Sequence, residues 1–158
     1  MKKFAIEFKW GIIFTVVSLL WIVFERLLGW HSSHIDKHAV YTNFFALPAI
    51  LVFVFALLDK RKHFYNNKMT WMQGFIAGLV VSIFVAVLSP MAQFITIEWI
   101  TPDFFTNARE YVISVGKMSA EQAAEYFNLT NYMMQSAFGA ILMGAITSAI
   151  VALFVRKK

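Results

Sequence analysis

The sequence predicts an all-α protein: an integral membrane four-helix bundle with a short two-helix extracytoplasmic cap. Three observations carry this. Apolar residues make up 59% of the 158-residue chain and aromatic residues 17%. A soluble domain is usually about 45–50% apolar. This chain therefore has too few polar side chains to cover a surface in water, and lipid is the simplest contact for the excess. The apolar residues also fall in four runs near the length, about 20 residues, that a helix needs to cross a bilayer. Finally, the charges sit at the ends of those runs and divide unequally between the two sides. One membrane domain over residues 1–158 is expected.

The first span is expected at about 10–29. Its opening, Met1-Lys2-Lys3, fits a signal peptide, but the run exceeds the roughly 7–15 residues of a signal h-region. Glu25, Arg26 and Trp30 stand where a small-residue cleavage site would be, so a retained helix is expected. The second span, about 42–58, is short and contains Pro48. The basic, turn-forming stretch from Asp59 to Lys68 follows. Thr70 with Gln73 then forms a capping box that opens the third span, about 71–95. Pro90 lies inside that span. Each proline removes a backbone donor, so a kink is expected at both. The fourth span covers about 132–155, with no charge between Glu125 and Arg156.

Residues of about 101–130 form the expected outer cap. Thr101-Pro102-Asp103 reads as an N-cap, a proline at the first helical position and an acid in the first turn. Phe104, Phe105, Ala108, Tyr111, Val112 and Val115 follow at helical spacing, and Gly116 can end the helix. Ser119 and Gln122 form a second capping box, ahead of Ala123, Ala124, Tyr126 and Phe127. The cap is expected to pack on the bundle mouth through Phe104, Phe105 and Phe127; the plainer reading is a connector that only buries its apolar face.

Charge sets the sidedness. Lys2, Lys3, Lys9, Lys60, Arg61, Lys62, Lys68, Arg156, Lys157 and Lys158 fall on one side, ten of the 14 basic residues. Arg26, Lys37, Arg109 and Lys117 fall on the other, together with most of the acids. The positive-inside rule puts the first set, and with it both termini and the 59–70 loop, in the cytoplasm. Trp10 and Trp71 mark the inner interface, and Trp30 and Trp99 the outer one. The basic residues of the 60–68 loop read first as a topology signal and otherwise as a site for anionic lipid. Basic residues confined to the ends of spans do not form a nucleic-acid surface.

Gly74, Gly78, Ser82 and Ala86 recur every four residues on the third span. Ser136, Ala140, Gly144, Ser148 and Ala152 do so on the fourth. Small residues at that spacing let backbones approach where lipid gives no hydrophobic drive for association. The two strips are expected to pack on each other; the alternative is a homodimer through Gly74 and Gly78.

Polar residues in the spans gather toward the outer side. At about 1.5 Å of rise per residue, Glu25 lies roughly 22 Å above Trp10 and Ser89 roughly 27 Å above Trp71. Asn43, Gln93 and Gln135 join them as a candidate outer cluster. The inner halves carry only hydroxyls, from Thr15, Ser18, Ser82, Thr147 and Ser148. A conduction path needs polar lining at all depths, which one copy lacks. Glu25 is the sharpest residue, because an acid within a membrane segment is a functional candidate. Its place beside Arg26 near the interface also allows a local ion pair and snorkelling.

His31, His34 and His38 would share one face of a helix, where three imidazoles could hold zinc or copper. Ser32-Ser33 argues for a turn instead, so these read first as solvated interface histidines and no metal is expected. There is no His-Glu-x-x-His, no Gly-x-Ser-x-Gly and no phosphate loop. No enzymatic activity and no cofactor are expected, and only the histidine loop speaks for a metal-dependent membrane enzyme. The chain has no cysteine, which excludes disulfides.

Several stretches resemble a bacterial family, domain of unknown function 4199. They are Glu7 to Trp21, Leu27 to His31 with His38 to Asn43, Met69 to Gly74, Leu88 to Gln93, Gly116 to Ser119 with Ala124 to Phe127, and Ile146 to Lys158. The resemblance implies a four-helix protein of the bacterial inner (cytoplasmic) membrane. It implies no catalytic residue. The expected function is structural or accessory, binding a partner protein or lipid. The alternative is a small oligomeric transporter or channel entered through the outer polar cluster.

Overall fold

The computed structural model describes residues 4–157, and these are helical almost throughout. The order is α1 (Ala5–Leu27), α2 (Ile35–Tyr41), a 3-10 turn (Thr42–Phe45), α3 (Ala46–His63), α4 (Trp71–Ile95), a π-helical turn (Thr96–Ile100), α5 (Phe104–Ser114), α6 (Ala120–Tyr126) and α7 (Leu129–Val155). Four stretches are long and apolar enough to cross a membrane: Ala5–Leu27, Ile35–His63, Trp71–Ile100 and Leu129–Val155. The second is longer than the expected 42–58, because α2 runs through the 3-10 turn into α3 and because residues 59–63, expected in the loop, continue α3 to His63. Pro48 consequently falls in the first turn of α3 rather than in a helix interior, directly after that turn; Pro90 is inside α4.

Local signals set the helix ends. Thr70 and Gln73 exchange side-chain and backbone bonds at the start of α4, and Ser119 and Gln122 do so at α6. Asn128 caps α7 by accepting from the Asn131 N–H at 2.9 Å. Gly116, at φ 68, ends α5. The Lys117 N–H reaches the Val112 carbonyl and the Gly116 N–H the Ile113 carbonyl, at 2.9 and 3.0 Å. This is the Schellman pattern, which needs a left-handed residue. The expected N-cap role of Thr101 is not realised. Its carbonyl accepts from the Phe104 N–H at 3.1 Å, and residues 101–103 form the turn ahead of α5.

The bundle is knitted at the end that carries the α3–α4 loop. Asp59 takes hydrogen bonds from Lys9, Trp10 and His63. Lys60 pairs with Glu7 at 2.8 Å, and Arg61 donates to the Val155 carbonyl at 2.6 Å. Met69 and Lys157 exchange backbone hydrogen bonds. Lys60 and Arg61 thus turn toward the bundle, while Lys62 and Lys68 are exposed. Asn66 and Asn67 take the positive φ angles that reverse this loop, a conformation asparagine tolerates.

α4 and α7 make the most extensive helix–helix contact. It runs in one antiparallel register: Gly74 meets Ala152, Gly78 meets Ser148, and Ser82 meets Gly144. The Ser82 and Ser148 hydroxyls are fully buried there and satisfied by the carbonyls one turn back, Gly78 and Gly144. Leu57, Val81, Ala77 and Val151 fill the core beside this seam.

At the opposite end α5 and α6 cover the bundle. Phe104 and Phe127 are buried with Ile97, Ala108 and Ala123, and Phe105 packs on Tyr132. Arg109 ties the pair together, donating from Nε and a terminal nitrogen to the Phe127 carbonyl. Arg109→Met keeps the side-chain volume but orphans that carbonyl, at a cost of about 1–3 kcal/mol. Faster amide exchange confined to 104–127 is the expected result; unchanged exchange would show that the apolar contacts alone hold the cap.

Candidate functional site

Two features lie between the cap and the seam. The first is built around Glu25, in the last turn of α1, fully buried at 0% exposure. Oε1 accepts from Trp21 Nε1, one turn earlier on the same helix, at 2.6 Å. Oε2 lies 2.9 Å from His31 Nε2 and 3.7 Å from His38 Nδ1. The chain reaches this arrangement through a reversal at Gly29, whose φ of 74 only glycine adopts freely. The Trp30 and His34 N–H groups close the turn onto the Glu25 and Gly29 carbonyls. His31 is thereby folded back under the end of α1, and α2 then brings His38 alongside.

The two imidazoles meet edge to face at 5.0 Å, and the Phe104 ring of α5 covers both. Asn107, also on α5, donates to the His31 carbonyl at 2.9 Å. The cap therefore closes over this cluster. His31 is 4% exposed, and the His38 side chain is 23% exposed.

This geometry revises the expected histidine face. His34 is exposed and its ring bonds the Ser33 hydroxyl, while the buried acid takes its place beside His31 and His38. α2 starts at Ile35, so helical spacing across 31–38 never applies. Nor does Glu25 pair with Arg26: Arg26 is exposed, whereas Glu25 is fully buried among Trp21, His31 and His38.

The second feature is a cavity of about 530 Å³ enclosed by α1, the 3-10 turn with α3, α4 and α7. Of the five residues expected to cluster at the outer side, Asn43, Ser89 and Gln93 line it. Glu25 belongs to the histidine cluster instead, and Gln135 is exposed on α7. Most of the polar groups here are spent on their own helices. Thr15, Ser18, Ser89 and Ser136 donate to backbone carbonyls a turn or less behind them, as does the Asn43 amide nitrogen. The wall is mainly apolar. Its large exposed apolar members, Ile50 on α3 and Met143, Ile146 and Ile150 on α7, mark an opening between those two helices. Phe53 of α3, in contact distance of Gly144, forms the floor, and the packed core lies beyond it.

A helical bundle with four spanning stretches, a side cavity and a capped acid–imidazole cluster defines a small multi-span membrane protein. The chain belongs to the family described as Protein of unknown function (DUF4199), whose model matches residues 9–157. No curated protein and no solved structure matches it.

Proposed function

We propose that this is a non-enzymatic accessory protein of the bacterial cytoplasmic membrane that holds the acyl chain of a lipid between α3 and α7. The cavity carries this reading. Its volume, about 530 Å³, suits a small ligand. Its wall is apolar, and it opens sideways, where a lipid tail can enter without crossing water. The Gln93 amide and the Asn43 side-chain oxygen are offered to the polar part of such a ligand. The basic end, with Lys9, Lys62, Lys68 and Arg156, faces the cytoplasm by the positive-inside rule. There Lys62 and Lys68 remain available to anionic headgroups. A second reading, an oligomeric transporter, draws on the same amides. It is the weaker one, because Leu57, Val81 and Val151 fill the path beyond Phe53.

Gly139 supplies the test. It lines the cavity, and a Cβ built there meets nothing within 4 Å. Gly139→Phe should fill the space without disturbing the seam. Native mass spectrometry in a mild detergent should find a phospholipid retained on the wild type and on the lipid-facing control Val87→Phe, and lost from Gly139→Phe. Equal retention by all three, or none on the wild type, would remove the cavity as a lipid site.

A further inference from the structure

We propose that Glu25, His31 and His38 form a binding site for a divalent transition-metal ion of the zinc type. One ligand atom from each residue lies within 4.8 Å of the other two. Ligands held at about 2.0–2.2 Å around a tetrahedral ion sit about 3.4 Å from one another. The cluster therefore needs only a small contraction, and the Glu25–His31 and Glu25–His38 separations, 2.9 and 3.7 Å, already bracket that value.

The hydrogen-bond inventory points the same way. Protein partners use His31 Nε2, but the Nδ1 atoms of both His31 and His38 are buried without any. His38 Nδ1 is directed at Glu25 Oε2 from 3.7 Å, too far for a hydrogen bond. Of the two, only His38 Nδ1 faces the carboxylate, and a bonded triad whose task was only to pin the turn would satisfy it. A shared cation satisfies the carboxylate and an imidazole lone pair from each ring together, and it compensates the buried acid's charge.

The surroundings are those of a built site. Trp21 donates to the carboxylate oxygen that faces away from His38, and this fixes the carboxylate plane. The Asn107 bond to the His31 backbone and the Phe104 ring over both imidazoles hold the ligands against motion. Two imidazoles and one carboxylate favour zinc-type ions over calcium or magnesium, which take oxygen ligands. Three protein ligands leave a coordination position for water or an incoming group. The half-buried edge of His38 is where that position meets the outside.

The test uses the full chain without affinity histidines, purified in detergent, stripped with chelator and then offered Zn²⁺ or Co²⁺. One Zn²⁺ should remain per chain after removal of free ion, Co²⁺ should develop a visible d–d band, and Zn²⁺ should raise the melting temperature. His38→Ala removes a ligand that makes no hydrogen bond, so its fold should persist, with the same helical circular dichroism and the same melting temperature in chelator. It should weaken Zn²⁺ binding by about 100-fold or more, beyond what loss of a supporting contact costs. His34→Ala should bind as the wild type does. The proposal is overturned if the wild type retains no stoichiometric Zn²⁺, or if His38→Ala binds it equally well.

Discussion

Replacing Gly78 with leucine lowers the free energy of unfolding by about 3 kcal/mol or more, at the upper end of overpacking costs. A Cβ built at Gly78 comes within 2.5 Å of the Ser148 Cβ and 3.4 Å of its Cα. Neither atom can swing aside, so the helices themselves must separate. The informative comparison is Gly78→Ala. In an open helix this change stabilises by about 1 kcal/mol through propensity alone. Here the collision should reverse the sign, to a loss of about 1–2 kcal/mol. Ser148→Gly in the same chain vacates the space and should restore most of it. Denaturation in mixed detergent micelles measures all three. If Gly78→Ala stabilises, or if Ser148→Gly gives no relief, α4 and α7 do not meet in this register.

That seam is also where the sequence was most readable. Small residues every four positions on two helices announce a close approach, and the register follows once the pairs Gly78–Ser148 and Ser82–Gly144 are in contact. The reciprocal caps at Thr70 and Ser119 and the stop at Gly116 were legible for a similar reason: each signal is complete within a few residues. The acid–imidazole cluster was not. Helical arithmetic grouped His31 with His34, whereas a left-handed glycine at position 29 resets the chain direction and swaps His34 for Glu25. An acid in a spanning segment, then a Gly-Trp break, then two histidines is a signal that could have found it. The cavity is less accessible still. It is the space left where four helices fail to touch, and no single stretch of sequence encodes that. Gln135 illustrates the limit, since its position along the fourth span puts it at the outer end but does not say which way it faces, and it is exposed.

The same limit hid the other buried charge pair, which yields the second large effect. Lys60 lay in a basic loop and Glu7 near the N-terminus, and nothing local joins them. In the fold they meet at 2.8 Å, with side chains 4% and 3% exposed. Each also suits its helix, the acid in the first turn of α1 and the lysine in the last turn of α3, where the helix dipoles favour those signs. The Lys60 ammonium lies 3.7 Å from the centre of the Phe64 ring as well. Partial burial pushes the neighbouring Tyr65 phenol above its ordinary range, with the Glu7 charge adding to the push. Removing one partner strands the other charge. Lys60→Met should therefore cost about 3–5 kcal/mol, and because the pair is buried the loss should barely change with salt. The exposed Lys9 side chain, paired with Asp59, gives the contrast: Lys9→Met should cost about 1 kcal/mol or less and fade as salt rises. The double variant Glu7→Leu with Lys60→Met decides what the buried pair is for. Among the described residues Glu7 Oε2 has no hydrogen-bond partner, so the acid is incompletely compensated there. Apolar replacements at both positions should recover most of the stability lost by Lys60→Met, as isosteric exchange of buried ion pairs commonly does. Recovery would mean that the pair selects how α1 seats against α3 rather than supplying net stability. A double variant as unstable as Lys60→Met would mean that the charges themselves hold the two helices together.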